Sequence, residues 1–262
     1  MFGEGKTVTV GDATLFVAEA GNSDGPPIVL LHGGLGSRDD FVALAALLAA
    51  DYRLIAIDSR GHGRSSLGQS AMTYRQLAED TAAAIDQLGL TGVGIIGHSD
   101  GGILALRLAA FGLFRPRFIV AVAAHWRLPE DDPTRAIYQG VSVAEWREMF
   151  GPQVAQYEAE NPAPDFSRLF EATRAMWLGS GPDAYPGEAV RDIDVPLLVV
   201  HGDDDFLVSR ARSFELAERV SGARLLNLPF ASHTVLEDAP DAVLPALISF
   251  ISSVNEGAQA AS

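Results

Sequence analysis

The residues best equipped for chemistry lie in Gly97-His98-Ser99-Asp100-Gly101, a G-x-S-x-G run between an aliphatic stretch and a helical pattern. A serine presented to a substrate must sit on a very tight strand-to-helix turn. Side chains two positions either side would collide there, and Gly97 and Gly101 remove them. The helix N-terminus behind Ser99 aims backbone N–H groups at a developing oxyanion. Serine is not an alkoxide at neutral pH, so it needs a histidine base, oriented in turn by a carboxylate. Six histidines compete. His233 lies in Phe230-Ala231-Ser232-His233-Thr234, after the last strand pattern and before the closing helix pattern, where the chain order Ser…Asp…His places the base. His32, His62, His125 and His201 read as structural, and His98 as pointing away from the serine. Gly202-Asp203-Asp204-Asp205-Phe206 offers three carboxylates for the acid, and position alone does not choose among them.

These residues must be held by a scaffold, and the hydrophobic pattern describes one. Short aliphatic strands are expected at 7–10, 14–18, 27–31, 53–57, 94–96, 118–123, 195–200 and 224–228. Helical periods fall between most of them, with Ser37 and Thr73 as N-caps and a closing helix at 240–254. That alternation, with continuous aliphatic strands, implies a mostly parallel eight-stranded sheet with helices on both faces. It breaks between 127 and 190. This stretch holds Trp146 and Trp177 and helical patches but no good strand, which suggests an inserted helical cap. Residues 1–126 and 191–262 then form the core, and the polar tail 255–262 is expected to fray. Trp146 and Trp177 read as cap interior, and Glu130-Asp131-Asp132 as a solvated hinge.

Composition removes other classes. The chain has 262 residues, with 19 Lys+Arg against 34 Asp+Glu and a formal charge of −15. Such a surface repels phosphate backbones and anionic lipid, so neither nucleic acid nor membrane is an expected partner. There is no cysteine, which excludes disulfides, thiolate metal sites and thiol nucleophiles. The first twenty residues contain no long apolar run, and the longest aliphatic run, 118–124, is far too short to span a bilayer. The expectation is a cytoplasmic protein, monomer or homodimer, acting on a small molecule with neither metal nor cofactor.

Five segments in order, LLHGG at 30–34, DSRGHGRSS at 58–66, GHSDGG at 97–102, HGDDDFLV at 201–208 and ASHTVLEDAP at 231–240, together resemble the α/β-hydrolase superfamily. The resemblance implies the α/β-hydrolase fold with an inserted cap, and a Ser99, Asp205, His233 triad, since the family's acid falls on the fourth residue of the G-x-x-D turn. It also implies an oxyanion hole from the N–H of Asp100 and that of Gly34 or Leu35, and a structural role for Asp58 and Arg60. Serine at the elbow argues against the haloalkane-dehalogenase and epoxide-hydrolase branches, which need a carboxylate there.

Asp100 departs from most of the family, where the position after the serine is often apolar. Ser-Asp-Gly-Gly and the segment 137–146 are similar to the valacyclovir-hydrolase (biphenyl-hydrolase-like) branch, which cleaves α-amino-acid esters. That similarity implies Asp100 as an amine binder. His125 and Trp126, at the start of the cap, are further candidate substrate contacts. The expected activity is cleavage of small carboxylic esters, possibly of α-amino acids, through an acyl-enzyme. The alternatives are a C–C hydrolase or lyase on the same triad, which would need an anion clamp in the cap, and a ligand receptor with little turnover.

Overall fold

The computed structural model describes Phe2 and residues 4–260. Eight strands form one sheet in the order β1-β2-β4-β3-β5-β6-β7-β8. They are β1 (Lys6–Val10), β2 (Ala13–Gly21), β3 (Pro27–Leu31), β4 (Arg53–Ile57), β5 (Gly94–His98), β6 (Phe118–Val122), β7 (Leu197–Gly202) and β8 (Arg224–Leu228). β2 is antiparallel to β1 and β4, and every other pairing is parallel. The expected eight-stranded, mostly parallel sheet is therefore present.

The pleat divides the aliphatic strands between two cores. Val29, Leu31, Ile55 and Ile57 face one side, where α2 (Tyr74–Gln87), α3 (Asp100–Ala110) and α8 (Arg210–Arg219) pack. Ile28, Leu30, Leu54 and Ala56 face the other, against α1 (Val42–Leu48) and α10 (Pro240–Ala260). Burial on both faces explains why the central strands are continuously apolar rather than alternating. The Ser37 cap opens a 3-10 turn at Arg38–Phe41, in a capping box with Asp40, before α1 begins. α10 runs to Ala260, so the backbone of 255–260 is helical where the sequence suggested a frayed tail. Its Asn-Glu-Gly-Ala-Gln-Ala composition carries no proline to stop the helix.

The segment between β6 and β7 is helical as expected: α4 (Pro133–Gly140), α5 (Val143–Met149), α6 (Gly151–Glu160) and α7 (Phe166–Trp177). It is stitched to the sheet domain. The Asn161 amide donates to the Gly63 and Ser65 carbonyls at 2.8 and 3.0 Å. Arg38 bridges Asp58 and Glu160. Asp132, expected in a solvated hinge, is buried instead. It caps α4 through the Thr134 N–H and pairs with Arg212 at 3.3 Å.

Asp58 and Arg60 act structurally. Asp58 accepts from the Arg38 backbone and guanidinium and from the Arg64 N–H. Arg60 forks onto Asp80 and also reaches Asp12.

Candidate active site

The elbow closes as the glycine argument requires. A Cβ on Gly101 would stand 1.9 Å from the Leu31 carbonyl oxygen, and one on Gly97 would stand 2.2 Å from that of Gly101. Between them Ser99 takes φ +51° and ψ −116°, a strained conformation for a residue with a side chain. It is stabilised by the Ser99 N–H bond to the Val122 carbonyl and by α3 starting at the next residue.

Three loops at the C-terminal edge of the sheet meet at this serine. Ser99 Oγ lies 3.0 Å from His233 Nε2. His233 Nδ1 lies 3.0 Å from Asp205 Oδ2 and 3.1 Å from Oδ1. Asp205 Oδ1 also accepts the Leu207 and Val208 N–H groups at 2.8 and 2.9 Å. Burial by itself would raise the Asp205 carboxyl. The His233 bond and charge with the two amides outweigh it and hold the group below its ordinary range. The other two carboxylates of the turn point elsewhere: Asp203 meets Asn227 and Arg210, and Asp204 is exposed.

Above the serine, between sheet and cap, is a cavity of about 530 Å³. Its wall is chiefly apolar, with Tyr138, Val141, Trp146, Phe150, Trp177 and Phe206 prominent. Asp40, Glu145 and Glu148 line it, and no Lys or Arg among the described residues does. Gly34 lines it as well, whereas Leu35 faces a neighbouring groove and supplies the positive φ of the turn, +60°. Among the described residues, the N–H groups of Gly34, Leu35 and Asp100 pair with no other protein group.

Several residues fall where the sequence did not place them. The Asp100 carboxylate does not line the cavity. It is buried, accepting the Tyr74 hydroxyl at 2.7 Å and the Trp177 indole N–H at 2.9 Å. Burial raises its carboxyl, against the pull of those two bonds. The expected amine ligand is thus already satisfied by protein donors. His125 and Trp126 are likewise sealed in the core, away from the cavity. His125 packs edge-on to Tyr185 with both ring nitrogens unpartnered, and the Trp126 indole donates to the Arg212 carbonyl. Conversely, Trp146 and Trp177 are cavity walls. His98 faces the cavity too, its ring 5.1 Å from that of His233 and its Nε2 2.9 Å from the His233 carbonyl oxygen. The signal for His98 was Gly33, whose missing side chain leaves the room: a Cβ there would stand 3.1 Å from His98 Nδ1.

The alpha/beta hydrolase family matches residues 28–246. The chain belongs to that family. A non-heme haloperoxidase of Rhodococcus erythropolis is 34 % identical over 94 % of this chain and 99 % of its own length. A bifunctional esterase/perhydrolase of Acinetobacter calcoaceticus is 26 % identical over 95 % of this chain and 100 % of its own. The enol-lactonase of Burkholderia xenovorans LB400 superposes with a TM-score of 0.74 at 21 % identity, over 94 % of this chain and all of that one. This α/β-hydrolase is a hydrolytic enzyme. No helix among the described residues is long and apolar enough to cross a membrane, and no cluster of metal-ligating side chains occurs among them.

Proposed function

We propose that the chain hydrolyses small, uncharged carboxylic esters through an acyl-enzyme on Ser99. The observation that carries this reading is the hydrogen-bonded relay from Ser99 Oγ through His233 to Asp205 at the floor of a mainly apolar cavity. His233 Nε2 takes the Ser99 proton as Oγ attacks the ester carbonyl. The N–H groups of Asp100 and Gly34 hold the oxyanion. His233 then protonates the leaving alcohol as the C–O bond breaks. Water, deprotonated by the same imidazole, attacks the acyl-enzyme and releases the acid and free Ser99.

The cavity wall supports the uncharged class. A dienoate or other carboxylate-bearing substrate would need a cationic clamp, and the lining offers the acidic side chains of Asp40, Glu145 and Glu148 instead. This disfavours C–C hydrolysis of dienoates. Asp100 gives no support to α-amino-ester specificity, because its carboxylate is taken up by Tyr74 and Trp177. The names of the relatives favour one extension, in which hydrogen peroxide replaces water as acyl acceptor and a peracid leaves.

The test is hydrolysis of p-nitrophenyl acetate and of the mono-p-nitrophenyl ester of succinate, with Ser99→Ala as blank and fluorophosphonate labelling of Ser99. Turnover of the acetate, its loss in Ser99→Ala, and at least tenfold lower kcat/KM for the succinate are expected. Undiminished turnover in a clean Ser99→Ala preparation would sink the proposal, and absence of a Ser99 adduct would favour the receptor reading. Adding peroxide and assaying peracid tests the extension.

A further inference from the structure

The Asp100 side chain sits beside the reacting centre and has no part in the steps above, yet it joins three pieces of the site. Its Oδ2 accepts the indole N–H of Trp177, the last residue of cap helix α7. Its Oδ1 accepts the hydroxyl of Tyr74, the first residue of core helix α2. The Trp177 contact lies directly on the oxyanion turn: a Cβ on Gly34 would stand 2.5 Å from Asp100 Oδ2 and 2.6 Å from Trp177 Cζ2. Trp177 is fixed from the cap side by stacking on Tyr138 at 4.7 Å and by its carbonyl accepting the Tyr185 hydroxyl at 2.8 Å.

We infer that Asp100 is a positioning residue, whose carboxylate latches the cap through Trp177 onto the oxyanion hole and sets the register of the Asp100 and Gly34 N–H groups. A carboxylate at this place would oppose an oxyanion if it were free. Two donors in a buried setting absorb its charge, and burial weakens its ionisation. The same bond seats Trp177 as a wall of the substrate cavity, so cap docking and oxyanion geometry are set by one contact. This inference rests on the ester-hydrolase reading, because it needs an oxyanion to stabilise.

Three variants separate the latch from ordinary structural support. Trp177→Phe removes the cap-side bond and keeps an aromatic ring. Tyr74→Phe removes the core-side bond from the same carboxylate. Asp100→Asn offers both donors only one acceptor oxygen. With p-nitrophenyl acetate, kcat is expected to fall about tenfold in Trp177→Phe and at most threefold in Tyr74→Phe, with Tm lowered by similar amounts in the two. Trp177→Phe combined with Asp100→Asn should lose little more than the worse single variant. Fluorophosphonate reactivity of Ser99 in the wild type, with acetate turnover lost in Ser99→Ala, shows that the underlying hydrolase reading stands. The inference is overturned if, with that established, Trp177→Phe keeps kcat within twofold. It is also overturned if the two phenylalanine variants lose kcat alike, or if Asp100→Asn selectively loses an α-amino ester while sparing its N-acetyl counterpart. If Asp100→Asn does not fold, the Trp177 and Tyr74 pair decides alone.

Discussion

Replacing Asp205 by asparagine should cost far more than its one-atom change suggests, and the backbone dictates why. Asp205 Oδ1 receives two N–H donors, from Leu207 at 2.8 Å and Val208 at 2.9 Å. An asparagine must put its carbonyl oxygen there, because its amide would leave both donors unsatisfied in a buried site, at roughly 1–3 kcal/mol for each such group. Its NH₂ group then occupies the Oδ2 position, 3.0 Å from His233 Nδ1, and donates to that nitrogen. His233 is forced into the tautomer with hydrogen on Nε2. That hydrogen faces Ser99 Oγ across 3.0 Å, where a lone pair is required. The stabilising charge behind the developing imidazolium is lost as well. Triads disabled in this way lose about 10⁴ in kcat, which is ~5.4 kcal/mol of transition-state stabilisation.

The assay is initial-rate hydrolysis of p-nitrophenyl acetate near pH 7, normalised to folded protein by melting curve, with Asp203→Asn and Asp204→Asn in parallel. Both parallel variants should stay within about twofold of wild type, since surface substitutions away from special features are usually worth under ~0.5 kcal/mol. Asp205→Asn retaining a tenth or more of wild-type kcat would refute the tautomer argument. A collapse in Asp204→Asn instead would move the acid to the neighbouring residue.

Three further outcomes are expected. His98→Phe keeps the ring packing and loses the 2.9 Å bond to the His233 carbonyl. It should lower kcat by roughly tenfold, and His98→Gln, which retains a donor of similar reach, should restore most of it; equal rates in the two variants would dismiss the bond. Asp58→Ala takes one of two carboxylates from the buried Arg38 guanidinium, leaving Glu160, and removes the acceptor of the Arg38 and Arg64 N–H groups. It should cost about 2–4 kcal/mol, or on the order of 10 °C in Tm, read by calorimetry. Stability should also fall as the solution is acidified from about pH 6.5 toward 4. Burial holds His32, His98 and His125 neutral down to about 4 and His62 down to about 3, while the unfolded chain protonates each near 6.5. The unfolded state therefore binds more protons throughout that window, with a limiting slope on the order of 5 kcal/mol per pH unit. Asp40, raised by burial to about 7, works with the opposite sign, as do Asp100 and Glu237, both raised by burial, whereas His201, lowered by burial, adds to the imidazoles. A Tm flat between pH 6.5 and 4.5 would show that these imidazoles are accessible to solvent.

What could be read in the chain depended on whether a constraint was local. The elbow was legible because two glycines two residues from a serine mark a turn too tight for side chains, Gly97 against the Gly101 carbonyl and Gly101 against the end of β3, and the sheet because β3 to β7 are buried on both faces and so largely aliphatic. Asp205 could not be separated from Asp203 and Asp204 by pattern alone. What distinguishes it is that the turn aims two amides and His233 at one carboxylate while Arg210 and Asn227 occupy another. The substrate wall was illegible for a related reason. Trp146 and Trp177 read as cap interior because they are large aromatics, and only the docking of α5 and α7 over the serine makes them the lining of a cavity. Asp100 shows the limit most sharply. The similarity of its segment to an amino-ester-cleaving branch implied a cationic substrate so long as its partners were unknown. Its partners come from positions 26 residues upstream and 77 downstream, on two different helices. The glycine pair at the end of the LLHGG segment held the missing information: Gly33 makes room for His98, and Gly34 for the Asp100–Trp177 contact. A glycine beside such a site therefore points to whichever side chains occupy the space it leaves, and in this enzyme His98 and Asp100 come from the elbow and Trp177 from α7.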